Sequence, residues 1–240
     1  MIDPRITHAD CLDWLPTLEA ESVDLILMDP PYSSGTRREA AKGLRKSMVR
    51  GREDDAWFGS DCLTTNGFWW LMRALSVQCR RVLSPGAHLI SFIDWRQYPA
   101  LVGAIESADL RHVGLLVWDK TYFGMGTYFR NQHELMVHFS RGKTRPSYRH
   151  DVGNVIACRP VRQGKHPTEK PVELLLPIIE TLTKPGDLVI DPFAGSGSAG
   201  VAAAQLGRRF MGCERDPEYV QIAEARLAHW VGERLPIGAT

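Results

Sequence analysis

DLVIDPFAGSGSAGVAAAQLGRRFMGCE, residues 187–214, decides the fold. Its first part, ending at Asp191, is a short continuous apolar run, as in a strand buried on both faces of a parallel sheet. Gly195 and Gly197 then predict a tight turn, and the small residues after Ser198 predict a helix. A second apolar run follows and ends at Glu214. Outward from this unit the pattern repeats, with VDLILMD ending at Asp29, AHLISFID at Asp94 and VGLLVWD at Asp119. Helix-like stretches at 66–83, 96–107, 171–183, 196–206 and 217–230 alternate with the strands, which predicts a doubly wound α/β sheet. Pro171 suits a first helical position, and Pro177 is expected to kink or shorten its helix. ELMVHFS follows VGLLVWD without room for a helix, so these two predict an antiparallel hairpin at one edge. In open parallel sheets ligands bind beyond the carboxyl ends of the strands, where these acids stand.

The chain has 240 residues, 44% apolar and 24% charged, which suits one α/β domain with its own core. Its net charge of +1 creates no overall field for a polyanion. Local clusters must supply one. Between Arg37 and Arg52 seven basic residues stand against Glu39 alone, and residues 141–165 hold seven more against Asp151. Five scattered cysteines without a CxxC pair argue against a disulfide framework or a metal site and predict a reducing, cytoplasmic setting. His133-Glu134 is followed by His138, one residue too far for a zinc-binding HExxH. The start carries no basic-then-apolar leader, and no apolar run approaches the ~20 residues of a membrane span.

The glycine turn allows close backbone approach by a ligand, and Glu214, 19 residues after Gly195, can accept hydrogen bonds from two ribose hydroxyls. Gly195, Gly197 and Gly200 also satisfy the GxGxxG of dinucleotide-binding sites, so a nicotinamide or flavin remains open on this motif alone. Asp191-Pro192-Phe193-Ala194 precedes the glycines, however, and the Asp191 carboxylate would repel a pyrophosphate. It suits a ligand that presents an ammonium.

Asp29-Pro30-Pro31-Tyr32 closes another strand. Two prolines fix two φ angles and remove two amide donors, so the Pro30 carbonyl points outward rigidly. With the Asp29 carboxylate it can accept both hydrogens of a planar amino group, while Tyr32 stacks on the ring. Two such acceptors localise the nitrogen lone pair for in-line attack on a methyl group.

Asp29-Pro30-Pro31-Tyr32 together with Asp191-Pro192-Phe193-Ala194-Gly195-Ser196-Gly197 resembles the amino-methylating DNA methyltransferases, and the order, catalytic motif first, resembles their β class. His166-Pro167-Thr168-Glu169-Lys170-Pro171 and His8-Ala9-Asp10-Cys11 are similar to two further segments of that class. Departures are Glu169, where the family usually has Gln, and Ser198, where Thr is common. The resemblance implies a Rossmann-like, circularly permuted seven-stranded sheet and S-adenosylmethionine as methyl donor. It implies one methyltransferase domain over 1–240, with a catalytic half at 1–140, DNA-facing basic loops near 33–60 and 141–165, and a cofactor half at 166–230.

Carried over residue by residue, Asp29, Pro30, Pro31 and Tyr32 would be catalytic. Asp191, Phe193, Gly195 and Gly197 would line the cofactor, Glu214 would hold its ribose, and Asp10 its adenine. Thr168 and Lys170 would lie near the methionine carboxylate, and the matched segments add Cys11, His166, Ala194, Ser196, Ser198 and Arg215. The partner would be double-stranded DNA with the target base flipped out, which needs phosphate anchors on both sides. Arg37, Arg38, Lys42, Arg45, Lys46, Arg130, Asn131, Arg145 and Arg149 are the expected DNA-binding residues. A homodimer is compatible with the resemblance, since related enzymes often pair; neither a metal nor a membrane is expected. No cysteine follows a proline, which disfavours methylation at cytosine carbon. Asp29 favours the adenine amino group over that of cytosine, whose β-class enzymes usually carry Ser at that position.

Overall fold

The computed structural model describes residues 4–31, 64–124, 126, 128–161 and 169–233. In chain order the elements are β1 (Arg5–His8), α1 (Cys11–Trp14), a 3-10 turn (Leu15–Thr17), β2 (Val23–Met28), α2 (Thr65–Val82) and β3 (Leu83–Ile93). Then come α3 (Tyr98–Glu106), β4 (Arg111–Asp119), β5 (His133–Ser140), β6 (Val155–Ala157) and α4 (Val172–Leu182). The chain closes with β7 (Leu188–Asp191), α5 (Ser198–Gln205), β8 (Arg209–Glu214) and α6 (Pro217–Glu233).

The strands form one sheet in the order β1-β8-β7-β2-β3-β5-β4-β6. β7 and β2 are central and parallel, with Leu25 beside Val189 and Ile26 beside Ile190. β8 continues outward from β7, and β1 pairs with β8, setting His8 beside Glu214. β7, which leads into the glycine turn, thus lies in mid-sheet although it comes late in the chain, as the permuted order implied by the resemblance requires. Alternation along β2 explains its continuous apolar run. Ile26 and Met28 face a core with Trp14, Phe68, Leu75 and Leu101 of α1, α2 and α3. Leu25 and Leu27 face a second core with Leu174, Ile178, Val201 and Leu227 of α4, α5 and α6.

Three details differ from the sequence reading. The antiparallel hairpin partners do pair, Trp118 beside Glu134, but β5 lies inside, between β3 and β4. An eighth strand, β6, forms the outer edge parallel to β4; three residues are too few to show as an apolar run. Pro177 does not end α4, which runs on to Leu182 because Leu174, Leu175, Ile178 and Ile179 are all buried around it.

Candidate active site

The parallel strands deliver their terminal acids to one edge of the sheet. Asp191 ends β7 and is buried, its Oδ1 accepting the Phe193 amide at 2.9 Å. Burial pushes its carboxyl up to about 8, opposed by the Phe193 amide and reinforced by the nearby Asp29 and Glu214 carboxylates. Lys170 partly offsets this rise, and a further cation beside the group would favour its ionised form. Glu214, ending β8, is held by two amides, Gly195 N to Oε2 at 2.9 Å and Asp216 N to Oε1 at 2.8 Å. Asp10, just past β1, caps α1 by accepting the Leu12 amide at 2.9 Å. The Cys11 side chain turns into the core, and burial, followed by the charge of Asp10, pushes its thiol up to about 12.

The turn between β7 and α5 is built for close packing. Gly197 has φ +81°, and a Cβ there would come within 3.0 Å of the Ala223 Cβ. Gly200 is required by a different neighbour: a Cβ would meet the Phe210 ring at 2.8 Å and Leu227 at 2.9 Å. The third glycine of GxGxxG is therefore explained by helix–strand packing, without a pyrophosphate. The Ala194 amide donates to the Cys213 carbonyl at 2.9 Å, and Phe193 packs on the first core. Arg226 of α6 clasps the turn, donating to the Ser196 carbonyl and hydroxyl, both at 2.8 Å, and to Ser198 Oγ at 3.4 Å. Its other nitrogen pairs with Glu169 at 3.0 Å, the position where the family usually has Gln.

Asp29 follows β2 at the same edge, beside buried Pro30 and half-buried Pro31. Lys170 Nζ lies 2.6 Å from Asp29 Oδ2, 3.3 Å from Glu134 Oε2 and 4.9 Å from the Phe92 ring centre. Glu134, on β5, also receives Lys120 at 2.6 Å. Burial works against the Lys170 charge, but Asp29 and Glu134 outweigh it and hold the ammonium above its ordinary range. Burial likewise opposes the Glu134 charge, and Lys170 and Lys120 hold that carboxyl below its ordinary range. Lys170, expected beside the methionine carboxylate, thus stands against Asp29. Glu134 carries no local signal in the sequence, where His133-Glu134 stands only beside a mis-spaced His138.

Tyr32, Arg37, Arg38, Lys42, Arg45, Lys46, His166 and Thr168 lie outside the described residues. Arg130 and Asn131 belong to the connection from β4 to β5 at the carboxyl end of β4; Arg130 Nε donates to the Gly124 carbonyl at 2.7 Å. Tyr128 and Phe129, in the same connection, are each 92% exposed. Two expected DNA contacts are paired with carboxylates. Arg145 pairs with Asp24 at 2.7 Å and donates to the Pro85 carbonyl at 3.1 Å. Asp24 is the second residue of β2, so about 16 Å of strand separates it from Asp29 at the other end. Arg149 pairs with Asp151 at 2.7 Å and with Glu180 of α4. Arg215 follows β8 on the exposed surface, its carbonyl 3.0 Å from His8 Nε2.

A buried carboxyl at the end of β7, a second carboxylate held by the Gly195 amide and the glycine turn between them fit an aminoacyl nucleoside such as S-adenosylmethionine. The family model described as DNA methylase, N6_N4_Mtase, matches residues 23–156 and 146–225. The chain belongs to this family of DNA amino-methyltransferases. It is similar to "Putative methylase YubD" of Escherichia coli (strain K12), 34% identical over 225 residues that cover 93% of this chain and 90% of that one. It is also similar to "Type II methyltransferase M.HinfI" of Haemophilus influenzae, 31% identical over 252 residues covering 92% and 67% of the two chains.

Two solved structures share the fold. M1.HpyAVI in its SAM complex has a TM-score of 0.67 at 22% identity and covers 93% of this chain and 100% of its own. PvuII DNA methyltransferase (cytosine-N4-specific) has a TM-score of 0.74 at 17% identity and covers 99% and 88%. As a member of the family that its sequence matches, the chain is an S-adenosylmethionine-dependent DNA methyltransferase. Among the described residues no cluster of His, Cys, Asp and Glu could hold a metal, and no helix is long and apolar enough to cross a membrane.

Proposed function

We propose that the methyltransferase transfers a methyl group to the exocyclic amino group of adenine in double-stranded DNA. The observation that carries this reading is the Asp29 carboxylate at the end of β2, alongside the cofactor-side acid Asp191 at the end of β7. The bound donor supplies an electrophilic sulfonium methyl. Asp191 takes the donor's ammonium, Glu214 its ribose hydroxyls, and Asp10 its adenine end. Asp29 and the Pro30 carbonyl accept the two hydrogens of the target amino group, with Tyr32 against the ring. This localises the nitrogen lone pair, and the nitrogen attacks the methyl carbon directly as the carbon–sulfur bond breaks. The surplus proton on the methylated nitrogen passes to solvent.

The target base has to leave the helix to reach this edge of the sheet. Arg37, Arg38, Lys42, Arg45, Lys46, Arg130 and Asn131 are the proposed phosphate anchors. Arg145 and Arg149 leave this set because each is engaged by carboxylates elsewhere.

The test is methyl transfer from labelled S-adenosylmethionine to unmethylated double-stranded DNA, with product nucleosides resolved by mass spectrometry and Asp29→Ala as control. N6-methyladenine that disappears in the control supports the reading. N4-methylcytosine would keep the mechanism and change the base. Transfer unaffected by Asp29→Ala would overturn the mechanism.

A further inference from the structure

Lys170 stands in an alternating chain of charges contributed by four separate parts of the fold. Asp29 follows β2, Lys170 precedes α4, Glu134 lies on β5, and Lys120 follows β4. The successive separations are 2.6, 3.3 and 2.6 Å. Only 9% of the Lys170 side chain is exposed, and its ammonium lies over the Phe92 ring. With two carboxylates on one ammonium, little net charge is left for a third anion such as the methionine carboxylate.

The backbone that launches this side chain is stiff on both sides. Glu169 is fixed by Arg226, which also grips Ser196 and Ser198 of the glycine turn. Pro171 follows with φ −60° as the N-cap of α4. Adjacent residues thus hold the two halves of the site, Glu169 the cofactor turn and Lys170 the catalytic acid.

Taking Asp29 as the amino-group acceptor proposed above, we infer that Lys170 is a positioning residue for that acceptor, fixing the Asp29 carboxylate in rotation and charge through Oδ2, rather than a ligand of the cofactor. Three acids converge here: Asp29, Asp191 on β7 and Glu134 on β5, with Glu214 one strand further out. Among the described residues the cations facing them are Lys170 and, behind Glu134, Lys120. Asp94, just past β3, is turned to its own neighbour Arg96. Removing the Lys170 ammonium leaves the partly buried Asp29 near Asp191 and Glu134 without its cation, which makes the carboxyl easier to protonate. A protonated Asp29 is a weaker acceptor for the target amino group. The acid limb of the methyl-transfer rate therefore moves to higher pH when Lys170 is lost.

The experiment compares wild type, Lys170→Met, Lys170→Arg and Asp29→Ala for S-adenosylmethionine affinity by calorimetry and for single-turnover methyl transfer to unmethylated DNA across the pH range. For Lys170→Met we expect cofactor affinity within about threefold of wild type, a rate at neutral pH lower by about a hundredfold, and an acid limb at higher pH. Lys170→Arg should restore much of the rate and the limb, since a cation again faces Asp29. Lys170→Met/Glu134→Gln, which removes one charge of each sign, replaces the single variant should that one not fold, and should show the same rate defect. Loss of cofactor affinity of about thirtyfold with an unchanged rate at saturating cofactor would overturn the inference and return Lys170 to the cofactor. A lower melting temperature without movement of the acid limb would also overturn it. If Asp29→Ala keeps the wild-type rate, the acceptor reading falls and takes this inference with it; if Asp29→Ala is inactive while Lys170→Met is unchanged, the inference alone falls.

Discussion

Arg226 Nη1 donates to Ser196 Oγ at 2.8 Å, so the last helix holds the glycine turn from outside. The same guanidinium neutralises Glu169, whose side chain is only 9% exposed. Arg226→Ala should therefore loosen the turn and leave a buried carboxylate without this cation. We expect cofactor affinity to fall by about tenfold and unfolding stability by about 1–3 kcal/mol. Calorimetric titration and urea denaturation check the two effects, and Glu169→Gln should retain most of the affinity.

Gly197→Ala meets two obstacles, φ +81° and an Ala223 Cβ 3.0 Å from the new methyl. A loss of about 1–3 kcal/mol is expected, with weaker cofactor binding because the turn must shift. Denaturation curves with and without S-adenosylmethionine measure both.

The Asp191 carboxyl is raised to about 8 by burial, against about 4 in the unfolded chain. The folded protein holds this proton where the unfolded chain has lost it, so this group's contribution to stability is full below about pH 4 and declines as pH rises to about 8. Asp191→Asn should flatten that decline in the ligand-free enzyme, read as melting temperature against pH. S-adenosylmethionine, whose ammonium compensates the charge, should stabilise wild type more at pH 8 than at pH 6, and the Asn variant should lose that difference.

Arg145 holds Asp24, whose other oxygen accepts the Leu188 amide at 2.9 Å. Arg145→Ala should lower stability by about 0.5–2 kcal/mol and leave the salt dependence of DNA binding unchanged. Arg130→Ala, in the connection at the catalytic edge, should instead reduce the slope of log affinity against log salt by about one. Fluorescence anisotropy with a DNA duplex at several salt concentrations separates the two.

Much of the site was legible because strand ends are local events. Asp29, Asp191 and Glu214 each close an apolar run, and a run buried on both faces needs no partner to be recognised. The partners of charged side chains were not legible. Arg145 looked like the other basic residues around it, and its carboxylate lies 121 positions earlier. Glu134 stands in a His133-Glu134 pair whose spacing excludes the metal motif, and nothing near it in the chain announces Lys170. Strand β6 was too short to carry a period.

The sequence by itself determined the alternation of strands and helices, the turns at Asp29 and Gly195, and the placing of acids at the carboxyl edge, because hydrophobic period and turn chemistry act within a few residues. The tertiary structure alone decided that β5 lies inside the sheet, that Arg145 serves the opposite edge, and that Lys170 meets Asp29 across 141 residues of chain. Ion pairs leave no periodic trace, so their partners appear only when the sheet brings distant segments together.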